Sequence, residues 1–250
     1  KAIRRCKIKP YGESWEIFTV YCARGNAKKE ANDFEGAIKD FNKSIEIADT
    51  EIVAFVFNDR GFLKAKMGDL EGAIKDFDKG IWNLMQLKRK RNIAYSLDQV
   101  KEMESDLYCN RADIKKKLGA NQEALSDYDN AIETCPTYAK AFNNRGVLKE
   151  DNGDINEAIK DYSKAITSDP ELIQPYNNRG KANIKLELMQ EGLNDFFKVI
   201  ELAPNAPEGY RGIGDAKKRL GDLKGACENW DKASKLGDQD ASKFFKEQCQ

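Results

Sequence analysis

Asn143-Asn144-Arg145-Gly146 returns unchanged as Asn177-Asn178-Arg179-Gly180, thirty-four positions further along the chain. A fixed period of this length marks a stack of like units, none of which can bury its apolar face alone. Extending the register outward from Gly146 and Gly180 finds the equivalent small residue at Gly25, Gly61, Ala112 and Gly214. The intervals are 36, 51, 34, 34 and 34 residues, so one long insertion separates the second repeat from the third.

Twelve positions after each of these residues stands a second small one: Ala37, Ala73, Ala124, Ala158, Gly192 and Ala226. An aromatic follows four residues later, at Phe41, Phe77, Tyr128, Tyr162, Phe196 and Trp230. Ala158, Ile159, Tyr162, Ala165 and Ile166 share one face at helical spacing. Small residues on consecutive helices let the backbones approach, and the aromatic fills the space toward the next repeat. Gly68, Gly119, Gly153 and Gly221 suit the left-handed position that ends a first helix, and Asn32 fills it in the first repeat. Asp69, Asp154 and Asp222 then offer N-caps to the second helix, while Pro136, Pro170 and Pro204 punctuate the join to the next repeat. Each repeat therefore reads as helix, tight turn, helix.

The stretches Phe142-Asn-Asn-Arg-Gly146, Gly153-Asp-Ile-Asn-Glu-Ala-Ile-Lys-Asp-Tyr162 and Lys164-Ala-Ile-Thr-Ser-Asp-Pro170 resemble the tetratricopeptide repeat family. The resemblance covers about residues 15–238. It implies an all-α fold, a right-handed α-solenoid of about six helix-turn-helix repeats with a C-terminal capping helix. The departures are local. Glu187 replaces the turn glycine of the fifth repeat, Gly80 and Val199 replace the later small residue of the second helix, and repeats one, two and six lack the closing proline.

The organisation follows from the register. A basic lead-in occupies residues 1–14, with Lys1, Arg4, Arg5, Lys7 and Lys9, and the first helix opens at Glu13 or Ser14. The repeat array runs over 15–237 as one elongated solenoid, with the insertion near 86–104, and the capping helix covers 238–250. Ile81, Leu84, Met85 and Leu87 prolong the second helix of repeat two, while Ile93, Leu97, Val100 and Leu107 start the next helix early. Two long helices would meet at the basic run Lys88, Arg89, Lys90 and Arg91 as a spur. That run reads either as a phosphate-contacting or nuclear-localisation patch or as a solvated loop. Ala241, Phe244 and Phe245 recur at helical spacing, for a helix that caps the open end of the stack or binds a partner.

Composition removes several functions. With 42 basic and 42 acidic residues the net charge is zero, so no whole-molecule field draws in nucleic acid or an acidic membrane. No apolar run has the length of a membrane span and no signal-peptide core appears, so the expected location is the cytoplasm. Histidine is absent, which removes the commonest base and metal ligand. The six cysteines, Cys6, Cys22, Cys109, Cys135, Cys227 and Cys249, form no Cys-x-x-Cys pair and read as reduced, semi-buried thiols, while their even number leaves disulfide pairing open. No cofactor, metal or small-molecule substrate is expected. Acid pairs such as Asp59 with Asp113 are the nearest approach to a catalytic set, and nothing marks a nucleophile beside them.

Function then belongs to a surface repeated along an axis. First helices line the concave face of such a stack, so Asn110, Asn144 and Asn178 should form a ladder of amides there, flanked by Asn143 and Asn177. The resemblance implies that these asparagines grip an extended peptide; the alternative is that each bonds within its own helix or to the neighbouring repeat. The groove also receives Asn58, Asp59, Phe62, Asp106 and Asp113, and its later part receives Lys140, Lys181, Lys185, Arg211 and Lys218. That distribution suggests a ligand whose acidic part lies toward repeats four to six. Arg145 and Arg179 are expected to face the neighbouring repeat. Co-chaperones of this family hold terminal carboxylates with a set of Lys, Asn and Arg; only Asn110 and Lys140 fit on repeats two to four, so that use is not expected. The reading is a non-catalytic adaptor that binds a protein or peptide partner in its groove. Its rival is a structural scaffold that contacts partners through the basic insertion or outer surface.

Overall fold

The computed structural model describes residues 12–48, 53–89 and 96–249, which hold thirteen α-helices and no strand. The chain divides into two compact units, Lys1–Pro136 and Thr137–Gln250, at the join between the third and fourth repeats. The N-terminal half contains α1 (Gly12–Glu30), α2 (Phe34–Ile47), α3 (Ala54–Lys66), α4 (Leu70–Lys88), α5 (Leu97–Lys117) and α6 (Asn121–Thr134). The C-terminal half contains α7 (Ala139–Asp151), α8 (Ile155–Ser168), α9 (Ile173–Lys185), α10 (Met189–Leu202), α11 (Pro207–Arg219), α12 (Leu223–Lys235) and α13 (Gln239–Gln248). Six antiparallel hairpins result: α1 on α2, α3 on α4, α5 on α6, α7 on α8, α9 on α10 and α11 on α12. Of the lead-in expected over 1–14, residues 1–11 lie outside the described residues, and 12–14 already belong to α1.

The turn residues behave as the periodicity predicts. Gly68, Gly119, Gly153 and Gly221 take positive φ, and Asn32 does so at 61°. The next residue closes each helix in Schellman fashion: Asp69 N–H reaches the Lys64 carbonyl at 2.9 Å and Asp154 N–H the Lys149 carbonyl at 2.9 Å. Glu187 holds the same left-handed conformation at φ 63° without the glycine that favours it.

One expected cap is absent. Asp69 and Asp222 accept N–H bonds from Gly72 and Gly225, as Asp33 does from Gly36, whereas Asp154 makes no side-chain cap bond. The third helical residue explains the difference. A Cβ built on Gly72 would sit 2.0 Å from the Asp69 carboxylate, and Asp154 faces Glu157, which carries that atom. An aspartate with a more extended backbone escapes the conflict: Asp238, at ψ 115°, caps Ala241.

The long helices of the insertion pack on one another. Leu84 and Leu87 of α4 share a buried cluster with Val100 and Leu107 of α5. Helix α4 has 19 residues and α5 has 21, against 13 or 14 in the helices of repeats four to six. Helix α5 starts at Leu97, where Ser96 and Gln99 form a reciprocal capping box. Lys90, Arg91 and Ile93 lie outside the described residues.

Two of the cysteines expected to be reduced are not. Cys227 and Cys249 form a disulfide, with Cα atoms 5.7 Å apart. Gly237, at φ 99°, turns the chain after α12 and folds α13 back along it, so residues 22 apart in sequence meet. Local spacing carried no sign of this, because the pairing depends on how α13 docks. Cys22, Cys109 and Cys135 are thiols, and Cys6 lies outside the described residues.

Candidate partner-binding groove

What fixes the first helices is a repeated ion pair that the sequence reading overlooked. Arg24, Arg60, Arg111, Arg145 and Arg179 each clamp an aspartate sixteen residues on, in the second helix of the same repeat: Asp40, Asp76, Asp127, Asp161 and Asp195. The contacts are two-pronged, for example 2.8 and 2.6 Å from Arg145 to Asp161. The aspartate side chains are only 2–5% exposed, so each depends on its partner. Remaining N–H groups reach the preceding hairpin: Arg60 to Asn42, Arg111 to Asp78 and Arg179 to Ser163. Arg145 and Arg179, expected to face the neighbouring repeat, are thus anchored first within their own. The signal was present as a constant spacing of arginine before the small residue and aspartate fifteen after it. Repeat six breaks it with Ile213 and Asn229.

A lysine seconds the arginine in four repeats: Lys28, Lys64, Lys115 and Lys149 lie 2.8–3.0 Å from the same aspartates. In the fifth, Asn183 takes that place, 3.3 Å from Asp195. The hydrogen bond from Arg24 holds Asp40 below the usual carboxylate range. Burial pushes Asp195 above it, against the opposing pull of Arg179.

The asparagines are joined rather than idle. In the N-terminal half, Asn110 donates to Asn58 at 2.8 Å. In the C-terminal half, Asn178 donates to Asn143 at 3.0 Å, and Asn143 donates to Asn144 at 3.1 Å. Asn110 and Asn178 therefore make the bond to a neighbouring repeat that was the alternative reading. Asn143 is buried at 8% exposure and is not an open rung of the ladder. The Asn177 side-chain amide oxygen is also buried, without a hydrogen-bond partner among the described residues. Asn110, Asn144 and Asn178 stay half-buried. Their register in the first helices makes them legible; their mutual bonds were not.

A cavity of about 530 Å³ opens on the C-terminal half, walled by α9 and α11 and bounded by α12 and α13. Phe196, Trp230 and Phe244 contribute its apolar surface. Five cationic side chains line it, Lys181, Lys185, Arg211, Lys218 and Arg219, against three carboxylates, Glu150, Asp215 and Asp240. Several are mutually committed. Lys185 pairs with Glu150 at 2.6 Å, Arg211 with Asp240 at 2.9 Å, and Asp215 accepts the Trp230 indole N–H at 2.9 Å. Lys181, Lys218 and Arg219 have no ion-pair partner among the described residues; Arg219 donates to the Ile184 carbonyl at 3.4 Å, and Lys218 lies over the Trp230 ring, 5.8 Å from its centroid. The Lys181 side chain is exposed at its edge, and its amine is partly desolvated by the residues that line the cavity. That desolvation, followed by the charge of Arg211, holds its pKa below the ordinary lysine value.

The other expected residues are dispersed. Lys140 is half-buried on α7. Lys88 ends α4 and pairs with the buried Glu104, while Arg89 is the exposed C-cap of α4. Asp59 pairs with Lys29 at 2.8 Å and Asp113 accepts the Tyr128 hydroxyl at 2.5 Å, so both acids are engaged structurally. Among the described residues no group of three or more His, Cys, Asp or Glu side chains could hold a metal ion, and no helix is long and apolar enough to cross a membrane. Glu150, Trp230, Asp240 and Phe244 also line this cavity, where no sequence pattern placed them.

Tetratricopeptide repeat models match residues 18–51, 105–138 and 139–172. No curated protein matches the chain in sequence. The crystal structure of MamA protein superposes with a TM-score of 0.54 at 23% identity, covering 76% of this chain and 93% of that one. MamA from Desulfovibrio magneticus RS-1 gives 0.57 at 17% identity, with 73% and 94% covered. A chain of the APC/C hetero-tetramer Cut9–Hcn1 gives 0.70 at 14% identity over 93% of this chain and 43% of its own. At such identities the likeness speaks for the fold.

Proposed function

We propose, for a chain that belongs to the tetratricopeptide repeat family, a non-catalytic role: a protein–protein interaction module whose C-terminal half binds an extended acidic segment of a partner. The observation that carries the reading is the pair Lys181 and Lys218, two cations without ion-pair partners beside an aromatic wall. A carboxylate entering there would meet charge not already neutralised, and it would relieve the crowding of Lys181 by Arg211. Asn144 and Asn178, half-buried on the neighbouring first helices, supply amides for a peptide backbone.

The absence of histidine and the structural commitments of Asp59, Asp113 and Asp215 favour binding over catalysis. Contact through the basic insertion has less support, because Lys88 already serves Glu104. Fluorescence anisotropy with labelled hexaglutamate and hexaglutamine, on the intact chain and on a Lys181→Ala, Lys218→Ala variant, tests the reading. The acidic peptide should bind about tenfold tighter than the neutral one, and the variant should abolish the difference. Equal binding of the two peptides by the intact chain would overturn it.

A further inference from the structure

Helix α13 stands outside the six hairpins, and its two ends do different things. The first turn reaches into the groove: Asp240 accepts from Arg211 at 2.9 Å and Asp238 from the same nitrogen at 3.3 Å. One turn on, the Phe244 ring lies 5.6 Å from that of Trp230. Asp240 and Phe244 thereby form part of the cavity wall. The last turn is tied to α12 through Cys227–Cys249.

Little else holds the helix. It has ten residues, of which Ala241 alone is buried, with Phe244 and Phe245 only partly covered. A helix this short is marginal without its tertiary contacts, and elements with few buried contacts open first. The disulfide is reachable: both cysteines are half-buried and line an open depression of about 730 Å³ beside Leu223, Phe245 and Gln248.

We propose that α13 closes off one end of the groove, latched by the Cys227–Cys249 bond, and that reduction by a dithiol opens the groove to an acidic partner segment. This rests on the groove assignment made above. Asp240 offers Arg211 the same group that a partner carboxylate would, so the two compete for one guanidinium. In the switching step a reductant thiolate attacks one sulfur, the S–S bond breaks and a mixed disulfide forms. The second reductant thiol displaces it. Two electrons and two protons pass to the Cys227 and Cys249 sulfurs, and the reductant leaves as its own disulfide.

The test uses the full chain, oxidised and after dithiothreitol, together with a Cys227→Ser, Cys249→Ser variant that needs no reductant. Hydrogen exchange over 239–249 should quicken about tenfold in the reduced chain and in the variant, with α11 unchanged. Labelled hexaglutamate should bind both of these about fivefold tighter than the oxidised chain. Unaltered exchange in α13 overturns the latch, and so does measurable binding of equal strength in all three proteins. If hexaglutamate binds none of them, the acidic groove and its gating both fall, while exchange still decides whether the bond holds α13.

Discussion

At the scale of single residues, the fifth repeat shows what one lysine contributes. Asp40 has Arg24 and Lys28, and its folded pKa is lowered, chiefly by the Arg24 bond. Its stabilisation is present above the unfolded value of about 3.9 and is lost as pH falls through the folded one. Asp195 has Asn183 where the lysine would be, and burial raises its pKa. The sign reverses: its contribution is complete below the unfolded pKa and disappears as pH rises through the folded value. Asn183→Lys should therefore stabilise the chain by about 1 kcal/mol at neutral pH and by less at pH 4, read from urea unfolding at both. A gain that is larger in acid would contradict the argument. Glu187 is a second test. Held at φ 63° and exposed, it carries strain that glycine would not, so Glu187→Gly should stabilise by about 1 kcal/mol. Its melting point should rise by about 2–4 °C; no rise would mean that the side chain offsets the backbone cost. The left-handed position was legible because glycine or asparagine marks it elsewhere, whereas the Arg–Asp clamp stayed hidden because charges this frequent in the sequence look like solvated helix faces.

Within the hairpin, the close approach of the two helices rests on the small residue facing the aromatic. A Cβ on Gly146 would lie 2.7 Å from a Tyr162 ring carbon, and on Gly180 it would lie 3.0 Å from Phe196. The Tyr162 ring cannot retreat easily, since it is fully buried and its hydroxyl donates to Glu150 at 2.7 Å. Overpacking of this kind costs about 1–3 kcal/mol, offset in part by the roughly 1 kcal/mol helix preference of alanine over glycine. Gly146→Ala should thus lower the melting temperature, and Gly180→Ala should lower it less; the opposite order would show that the tyrosine has room to move. Element order was readable because the period and the turn residues agree in most repeats, with a closing proline in repeats three to five. The disulfide was not, because it depends on the docking of α13, and no local pattern encodes which cysteine a returning helix will meet. The cap at Asp154 was misjudged for a related reason: the aspartate was visible, but the crowding set by Glu157 is a property of the folded turn.

Across the molecule, 42 positive and 42 negative residues leave no net field, so any preference for an acidic partner must come from local arrangement. Lys185 and Arg211 already have carboxylate partners and Arg219 donates to the Ile184 carbonyl, and what remains is the pair Lys181 and Lys218. Reversing both, Lys181→Glu with Lys218→Glu, should remove binding of hexaglutamate altogether. Stability should change by no more than about 0.5 kcal/mol, because neither side chain completes an ion pair in the fold. Affinity of the unaltered chain should also fall steeply between low salt and 0.15 M, where the screening length is about 8 Å and exposed charges act only on near neighbours. A salt-independent affinity, or a charge-reversed variant that still binds, would move recognition away from these two lysines and toward the asparagines and the aromatic wall.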